Sequence, residues 1–422
     1  MNQPAIQKDP SCKDDFDPKS LSPVSALEKI QSAIKPVKDI EKIAIRDALN
    51  RVLAEDIHSL INVPSGMNSA MDGYAVNSED IPENGINELK VIGTSWAGRP
   101  FKESVNPGTC VRIMTGAIMP KNTDTVIIQE DVERQDDVIR IDNSTRKNDN
   151  VRQAGEDIKK GELVLTKGNR LNPADIGLIA SLGIGEVKVA RKLRVAFFST
   201  GDELRSIGEP LDEGCVYDSN RYTLHGMLTR MGIEIIDMGV IRDEKAAIEE
   251  AFLSAAASAD VVITSGGVSV GEADFVREIL AKVGQVEFWK VAMKPGRPLA
   301  FGKVGNAYFF GLPGNPVSVM VTFYQFVQPT LRMLMGDRHP QAITVKARCV
   351  SKLKKRPGRI EYQRGILERD ENGQMTVHKT GAQGSGILSS MSQANCFIVL
   401  PMANDGVEPG MEVDVQPFFG IV

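Results

Sequence analysis

Three observations predict a multidomain α/β plus β protein. After Arg194, strands and helices alternate at the spacing of a mostly parallel sheet covered on both faces. Between about residues 88 and 166, and again beyond Pro340, that rhythm gives way to short alternating strands separated by Gly, Pro, Asn and Asp. Finally, 422 residues with 42% hydrophobic content exceed one simple core, so two to four domains are expected.

Residues 1–20 hold Lys8, Asp9, Lys13, Asp14 and Asp15 and lack the apolar centre of a secretory signal, so they read as a loose polar tail. A helix over 25–34 places Leu27, Ile30 and Ile34 on one face and stops at Pro36. A second helix is expected over 47–56, with Leu49, Val52 and Leu53 inward. Asp72-Gly73 then makes a tight turn before a short strand, and its small polar flanks leave room for a ligand. The β region follows, with strands over 89–92, 109–114, 125–129, 138–141 and 162–165. A helix over 173–182 ends at Gly183, as suits a residue just past a helix.

In the α/β region a strand over 195–199 runs into Thr200-Gly201-Asp202-Glu203. Helices over 219–231 and 244–257 flank a strand over 233–238, and a strand over 261–264 leads into Ser265-Gly266-Gly267-Val268-Ser269-Val270-Gly271. The helix after that loop reaches Val283; a strand over 286–291, a β pair near 298–301 and 307–311, and a long helix over 316–335 complete the unit. Strands over 344–350, 359–367, 375–378, 396–400 and 412–416 form a small terminal barrel or sandwich.

Ligands of such sheets bind at the carboxyl ends of the strands, where Glu203, Asp243, Ser265 to Gly271 and Leu312 to Asn315 fall. The glycine loop and the following helix start, near Gly271-Glu272, offer free amides to an anion. Pro313-Gly314-Asn315-Pro316 repeats this logic, with Pro316 in a first turn and Asn315 as its cap. Two such starts imply an extended, multiply phosphorylated or nucleotide-like ligand. Lys290 and Lys294 share one face if their segment is extended, and would suit that anion or be ordinary surface lysines. Glu203, Asp218, Asp243 and Asp274 oppose them with oxygen ligands that suit Mg²⁺, although Asp274 could equally favour the dipole of its own helix. The four histidines sit in unrelated contexts, which favours catalysis by positioning, charge and metal over a covalent intermediate.

A formal net charge of −5 argues against a general nucleic-acid binder, and no uncharged run approaches the roughly 20 apolar residues of a membrane span. Five scattered cysteines without a C-x-x-C pair point to a reducing compartment, and a cytoplasmic protein is expected.

Seven segments, NSAMDGYAV (68–76), RIMTG (112–116), GEDI (155–158), STGDEL (199–204), SGGVSVGEAD (265–274), KPGRP (294–298) and LPGNPVS (312–318), closely resemble the molybdopterin molybdenumtransferases. These are the molybdenum insertases of molybdenum-cofactor biosynthesis, related to the catalytic E domain of gephyrin. The motifs stand in the family's order from about residue 20 to the C-terminus.

The resemblance implies insertion of molybdate into adenylylated molybdopterin with Mg²⁺-dependent release of AMP. It also implies an elongated homodimer, whose site forms where the α/β domain of one subunit meets the first β domain and C-terminal domain of the other. The implied domains are an α/β molybdopterin-binding domain (20–39 and 190–338), an extended linking domain (40–58 and 161–189), an inserted β domain (59–160) and a C-terminal β-barrel (339–422), after a disordered tail (1–19). Asp243 and Asp274 resemble the acidic residues at the metal and adenylyl phosphate. Lys290 and Lys294 resemble the bases facing molybdopterin and molybdate, while Asp72, Thr115, Asp157 and Glu203 match further site residues. Arg359 and Ser385 match positions that serve the anion, and Arg297 stands where some relatives have lysine. Substrate contacts are expected from Ser265, Gly266, Gly267, Ser269, Gly271, Pro313, Gly314, Asn315 and Pro316. The pathway's molybdopterin adenylyltransferase is a possible partner. Two alternatives stay open: a molybdopterin adenylyltransferase, and a catalytically inactive scaffold of the same fold.

Overall fold

The protein is described by a computed structural model over residues 19–266 and 274–418; the side chains of Asp274 and Phe275 lie outside that description. The N-terminal tail and the loop residues Gly267, Ser269 and Gly271 also fall outside it. The chain divides into two units, one of Met1–Glu41, Asn50–Val52 and Val189–Val422, the other of Lys42–Leu49 and Leu53–Lys188.

Helix α1 (Pro23–Ala33) belongs to the larger unit and begins where Ser22 Oγ accepts from Ser25 N at 3.0 Å, with Pro23 in the first turn. It buries Ala26 and Ile30 completely. The expected helix over 47–56 is absent. A single 3₁₀ turn, Ile45–Asp47, ends before Asn50, whose φ of 63° breaks any helical continuation, and Leu49 is exposed. The apolar spacing there serves extended chain instead, with Leu53 N donating to Asn169 O.

The smaller unit is built on β1 (Gly73–Val76), β2 (Asn87–Ser95), β3 (Thr109–Ile113), β4 (Thr125–Ile128), β5 (Glu133–Gln135) and β6 (Val138–Ile141). Their sheet order is β4-β1-β3-β2-β6-β5, with β2 and β3 parallel and the other neighbours antiparallel. The expected strand over 162–165 exists as Leu163–Leu165 but pairs with Ile57–His58, outside this sheet. Helix α2 (Pro173–Ser181) carries a capping box between Asn172 and Asp175, and Gly183 follows it at φ 75°.

In the larger unit β7 (Arg194–Thr200), α3 (Ser219–Arg230), β8 (Glu234–Ile241), α4 (Lys245–Ser258), β9 (Val261–Ser265) and α5 (Asp274–Val283) alternate as expected. Antiparallel strands follow: β10 (Gly284–Lys290), then, after the short β11 (Met293–Lys294), β12 (Pro298–Val304) and β13 (Ala307–Leu312). The sheet order is β8-β7-β9-β13-β12-β10, with β8, β7, β9 and β13 parallel. All five residues of β9 are buried because both of its faces are covered. Val261 and Ile263 enter one core with Phe197, Leu224 and Phe310, while Val262 enters the other with Phe198, Phe252 and Phe309. The expected long helix is α6 (Pro316–Thr322), a π turn (Phe323–Val327) and α7 (Gln328–Leu334) in succession.

The C-terminal strands β14 (Val345–Cys349), β15 (Ile360–Arg369), β16 (Met375–Lys379), β17 (Cys396–Leu400) and β18 (Glu412–Pro417) close a five-stranded barrel. Closure works because β15 pairs along Glu361 to Gly365 with β17 and along Gly365 to Arg369 with β16. The barrel also receives β11, whose Met293 and Lys294 run parallel to Ile360 and Glu361. No described helix is long and apolar enough to cross a membrane.

Candidate functional site

Helix α3 carries the chain from β7 out to β8, and α4 returns it to β9 on the other face of the sheet. The carboxyl ends of β7 and β9 therefore flank a topological switch point, the usual ligand crevice of such sheets. Ser199 and Ser265 are neighbours across it and both are buried. Gly266 follows at φ 93°, and a Cβ there would lie 2.7 Å from Thr200 O, so only glycine lets the two backbones pass. Gly314 approaches the same glycine from the turn after β13.

Beside the crevice a cavity of about 790 Å³ is lined by Gly201, Asp202, Arg205, Asp212 and Arg242. Glu203 is exposed and folds back over Gly201. Asp243 is exposed, and its N–H donates to Asp202 Oδ1 at 3.4 Å. Asp218 is not part of this acidic rim. It is 3% exposed and caps α3 by accepting from Arg221 N at 3.1 Å, while its Oδ2 is buried without a hydrogen-bond partner among the described residues.

Among the described residues no three His, Cys, Asp or Glu side chains are grouped to hold a metal ion. Mg²⁺, however, is commonly held by only one or two carboxylates together with water and substrate phosphate. The exposed Asp243 beside the cavity fits that donor set.

Asn315 occupies the cap position of α6, but its side chain makes no capping hydrogen bond. Pro316 is in the first turn as expected, and Val317 N is already taken, donating to Ser385 O at 3.1 Å. Ser385 thus ties the barrel to α6. One residue away, Gly384 O accepts from an Arg364 guanidinium nitrogen at 2.9 Å.

Lys290 and Lys294 do not share one extended face. Strand β10 stops at Lys290, opposite Pro298, and the chain turns before Lys294 joins the barrel beside Glu361. Gly296, at φ 94°, lets the turn press on α6, since a Cβ there would lie 2.6 Å from Thr322 Oγ1. Lys294 Nζ donates to Glu361 Oε1 at 3.1 Å within one chain, so the α/β region and the barrel meet at this site without a second copy.

These residues open on a cavity of about 250 Å³ lined by Lys294, Lys354, Glu361, Gln363, Arg364 and Lys379. Arg364, which lines this cavity, is a further cation besides the expected anion residues Arg359 and Ser385. Arg364 is 1% exposed; its guanidinium donates to Ser390 Oγ at 3.0 Å and to the Gly384 carbonyl, which are neutral acceptors. Burial pushes it down to about 10, so it remains charged at neutral pH. Four cations against one acid suit a tetrahedral oxyanion. The available signal was a barrel strand holding Glu361, Gln363 and Arg364 in a run too polar for ordinary packing.

In the smaller unit Asp72 and Thr115 meet: Thr115 N and Oγ1 both donate to Asp72 Oδ1 at 2.7 Å. Those two bonds, the backbone one first, hold the Asp72 carboxyl below its usual range. Asp157 is exposed, with its N–H donating to Val63 O at 3.0 Å.

Three family models match the chain: the MoeA N-terminal region (domain I and II) over residues 21–183, a probable molybdopterin binding domain over 196–333, and the MoeA C-terminal region (domain IV) over 346–418. The molybdopterin molybdenumtransferase of Haemophilus influenzae is 49% identical over 380 residues, 90% of this chain and 94% of its own. The chain belongs to the MoeA family. Further MoeA relatives include the gephyrin of Dictyostelium discoideum, 34% identical over 89% of this chain and 59% of its own. A MoeA protein of molybdopterin biosynthesis from Pyrococcus horikoshii OT3 superposes with a TM-score of 0.82 at 33% identity, over 95% of this chain and 100% of its own. The α/β and barrel architecture is therefore that of MoeA proteins.

Proposed function

We propose that the chain is a molybdopterin molybdenumtransferase, an enzyme of molybdenum-cofactor biosynthesis that inserts molybdate into adenylylated molybdopterin and releases AMP. Family membership supports the activity. The observation that carries the reading is the pairing of two anion sites in one unit. A crevice of backbone turns at Ser265, Gly266 and Gly314 suits phosphate, and a cationic barrel pocket around Arg364 and Lys294 suits the tetrahedral molybdate dianion.

In this reading Ser265, Gly266 and Pro313 to Pro316 orient the phosphorylated end of the substrate, and Lys290 faces the pterin side. Gly267, Ser269 and Gly271, which follow in the sequence, are assigned the same substrate-contacting role. Lys294 and Arg364 hold molybdate from the cavity wall, with Arg359 and Ser385 serving the same anion. Glu203 shapes the acidic rim. Asp243 with Asp274 would hold Mg²⁺, which when bound supplies neutralisation of phosphate charge. A homodimer, in which the inserted β domain of a second copy contributes Asp72, Thr115 and Asp157, is part of the same reading, as is the four-domain division. The adenylyltransferase that makes the substrate is the proposed partner. Free Cys110, Cys215, Cys349 and Cys396 support a reducing, cytoplasmic setting.

The decisive experiment follows AMP released from adenylylated molybdopterin with and without molybdate. Molybdate-dependent release with formation of molybdenum cofactor is expected. A chain that instead adenylylates molybdopterin from ATP would be the other enzyme of the pathway.

A further inference from the structure

Asn220 lies near the start of α3 and is 8% exposed. Its Nδ2 donates to Ser265 Oγ at 2.8 Å and to Gly314 O at 2.7 Å. A carbonyl only accepts, so the Gly314 contact fixes which end of the amide is nitrogen. One side-chain nitrogen therefore joins the end of β9 to the turn after β13. These are the two backbone segments that face phosphate in the function proposed above.

The two strands run in register as far as Ser265 and Leu312, and Gly266 N donates to Leu312 O at 3.1 Å. Beyond that point the ladder ends, and Asn220 continues the connection through its side chain. Its base is fixed, because Asp218 caps the same helix turn and Leu224 and Leu228 anchor α3 in the core. Asn220 Oδ1 is buried with no hydrogen-bond partner among the described residues, so the amide is spent on joining the loops rather than on satisfying both of its ends.

We propose that Asn220 is a positioning residue that sets the spacing between the two phosphate-facing segments, leaving the barrel's oxyanion pocket unaffected. The proposal rests on the reading of the crevice as the adenylylated substrate's site. Misplacing reacting groups by about 1 Å costs on the order of 100-fold in rate, so a loosened brace should register in turnover.

Asn220→Asp is nearly isosteric but sets a carboxylate against Gly314 O; Asn220→Ser keeps a smaller donor. AMP release is measured with each substrate varied, alongside thermal melts. For Asn220→Asp, kcat/KM for adenylylated molybdopterin should fall by roughly 10- to 100-fold, while KM for molybdate stays within about twofold even though the buried carboxylate lowers Tm. Asn220→Ser should fall less. Adding Ser265→Ala to Asn220→Asp should cost less than the two single losses combined. Wild-type kinetics in Asn220→Asp, or equal losses for both substrates, would overturn the proposal, as would failure of both variants to fold. If the wild-type chain releases no AMP, the functional reading is what fails. Asn220 is then judged by calorimetric titration with AMP, where weaker binding by Asn220→Asp upholds its role and equal or absent binding overturns it.

Discussion

Lys294 Nζ sits 3.1 Å from Glu361 Oε1, an ammonium half exposed at the mouth of the barrel pocket against a carboxylate that is nearly buried. The other carboxylate oxygen accepts from Gln363 Nε2 at 3.0 Å, so the acid is fixed and the lysine is aimed by it. Lys294→Gln keeps a donor and removes the charge. A charge-assisted hydrogen bond is worth about 1.5 kcal/mol or more, so KM for molybdate should rise roughly tenfold or more. KM for the adenylylated substrate should barely move. Steady-state AMP release with molybdate varied checks this, and an equal rise in both constants would remove Lys294 from the oxyanion site.

Arg364 is buried and donates to neutral acceptors, so an apolar replacement removes the charge but strands the Gly384 carbonyl and the Ser390 hydroxyl. Arg364→Met is therefore expected to cost about 1–3 kcal/mol of stability, and to abolish the upward thermal shift expected when molybdate is added to the wild type. Melting curves with and without molybdate decide it; a retained shift would place the anion elsewhere.

Asp260 joins the start of β7 to the end of α4. Burial works against its ionisation, but the Arg191 guanidinium, with two contacts of 2.8 Å, and the Arg194 amide outweigh burial and hold the carboxyl below its usual range. Its folded value is thus below its unfolded one. The stabilisation it gives is complete above about pH 4 and is lost as the pH falls through the folded value. Asp260→Asn should flatten the acid limb of stability below about pH 4. Urea unfolding across that range, compared with wild type, tests the assignment, and identical acid limbs would refute it.

Thr115→Ala keeps the backbone donor to Asp72 and removes the hydroxyl. Because the backbone bond is the larger cause of the lowered carboxyl, Asp72 should move only part of the way back to its usual range. An NMR titration of the Asp72 carboxyl reads this directly. No movement would mean that the hydroxyl is not bonded to Asp72 in solution.

Much of this organisation was legible in the sequence, and the failures have physical causes. The order of β7 to β13 follows from strands buried on both faces, such as Val261 to Ser265, set between helical stretches. Gly266 and Gly314 announced close backbone approaches. The helix over 47–56 failed because Val52 and Leu53 are spaced for a helix yet buried by extended chain once Asn50 turns left-handed. Lys290 and Lys294 were set on one face by a period-two rule that lapses where β10 ends. Arg364 was missed because its burial depends on the barrel's closure rather than on its neighbours in sequence. Asn220 carried no signal at all, since nothing local marks an amide whose partners lie 45 and 94 residues away.

If the barrel pocket holds molybdate as proposed, the buried guanidinium of Arg364 would make cargo and stability one quantity. An ion that binds only the folded barrel and neutralises a charge that folding buries would raise the unfolding free energy by an amount set by its own concentration. The empty protein would then be the weaker one, and its lifetime in a cell would become a gauge of how much molybdate that cell has taken up.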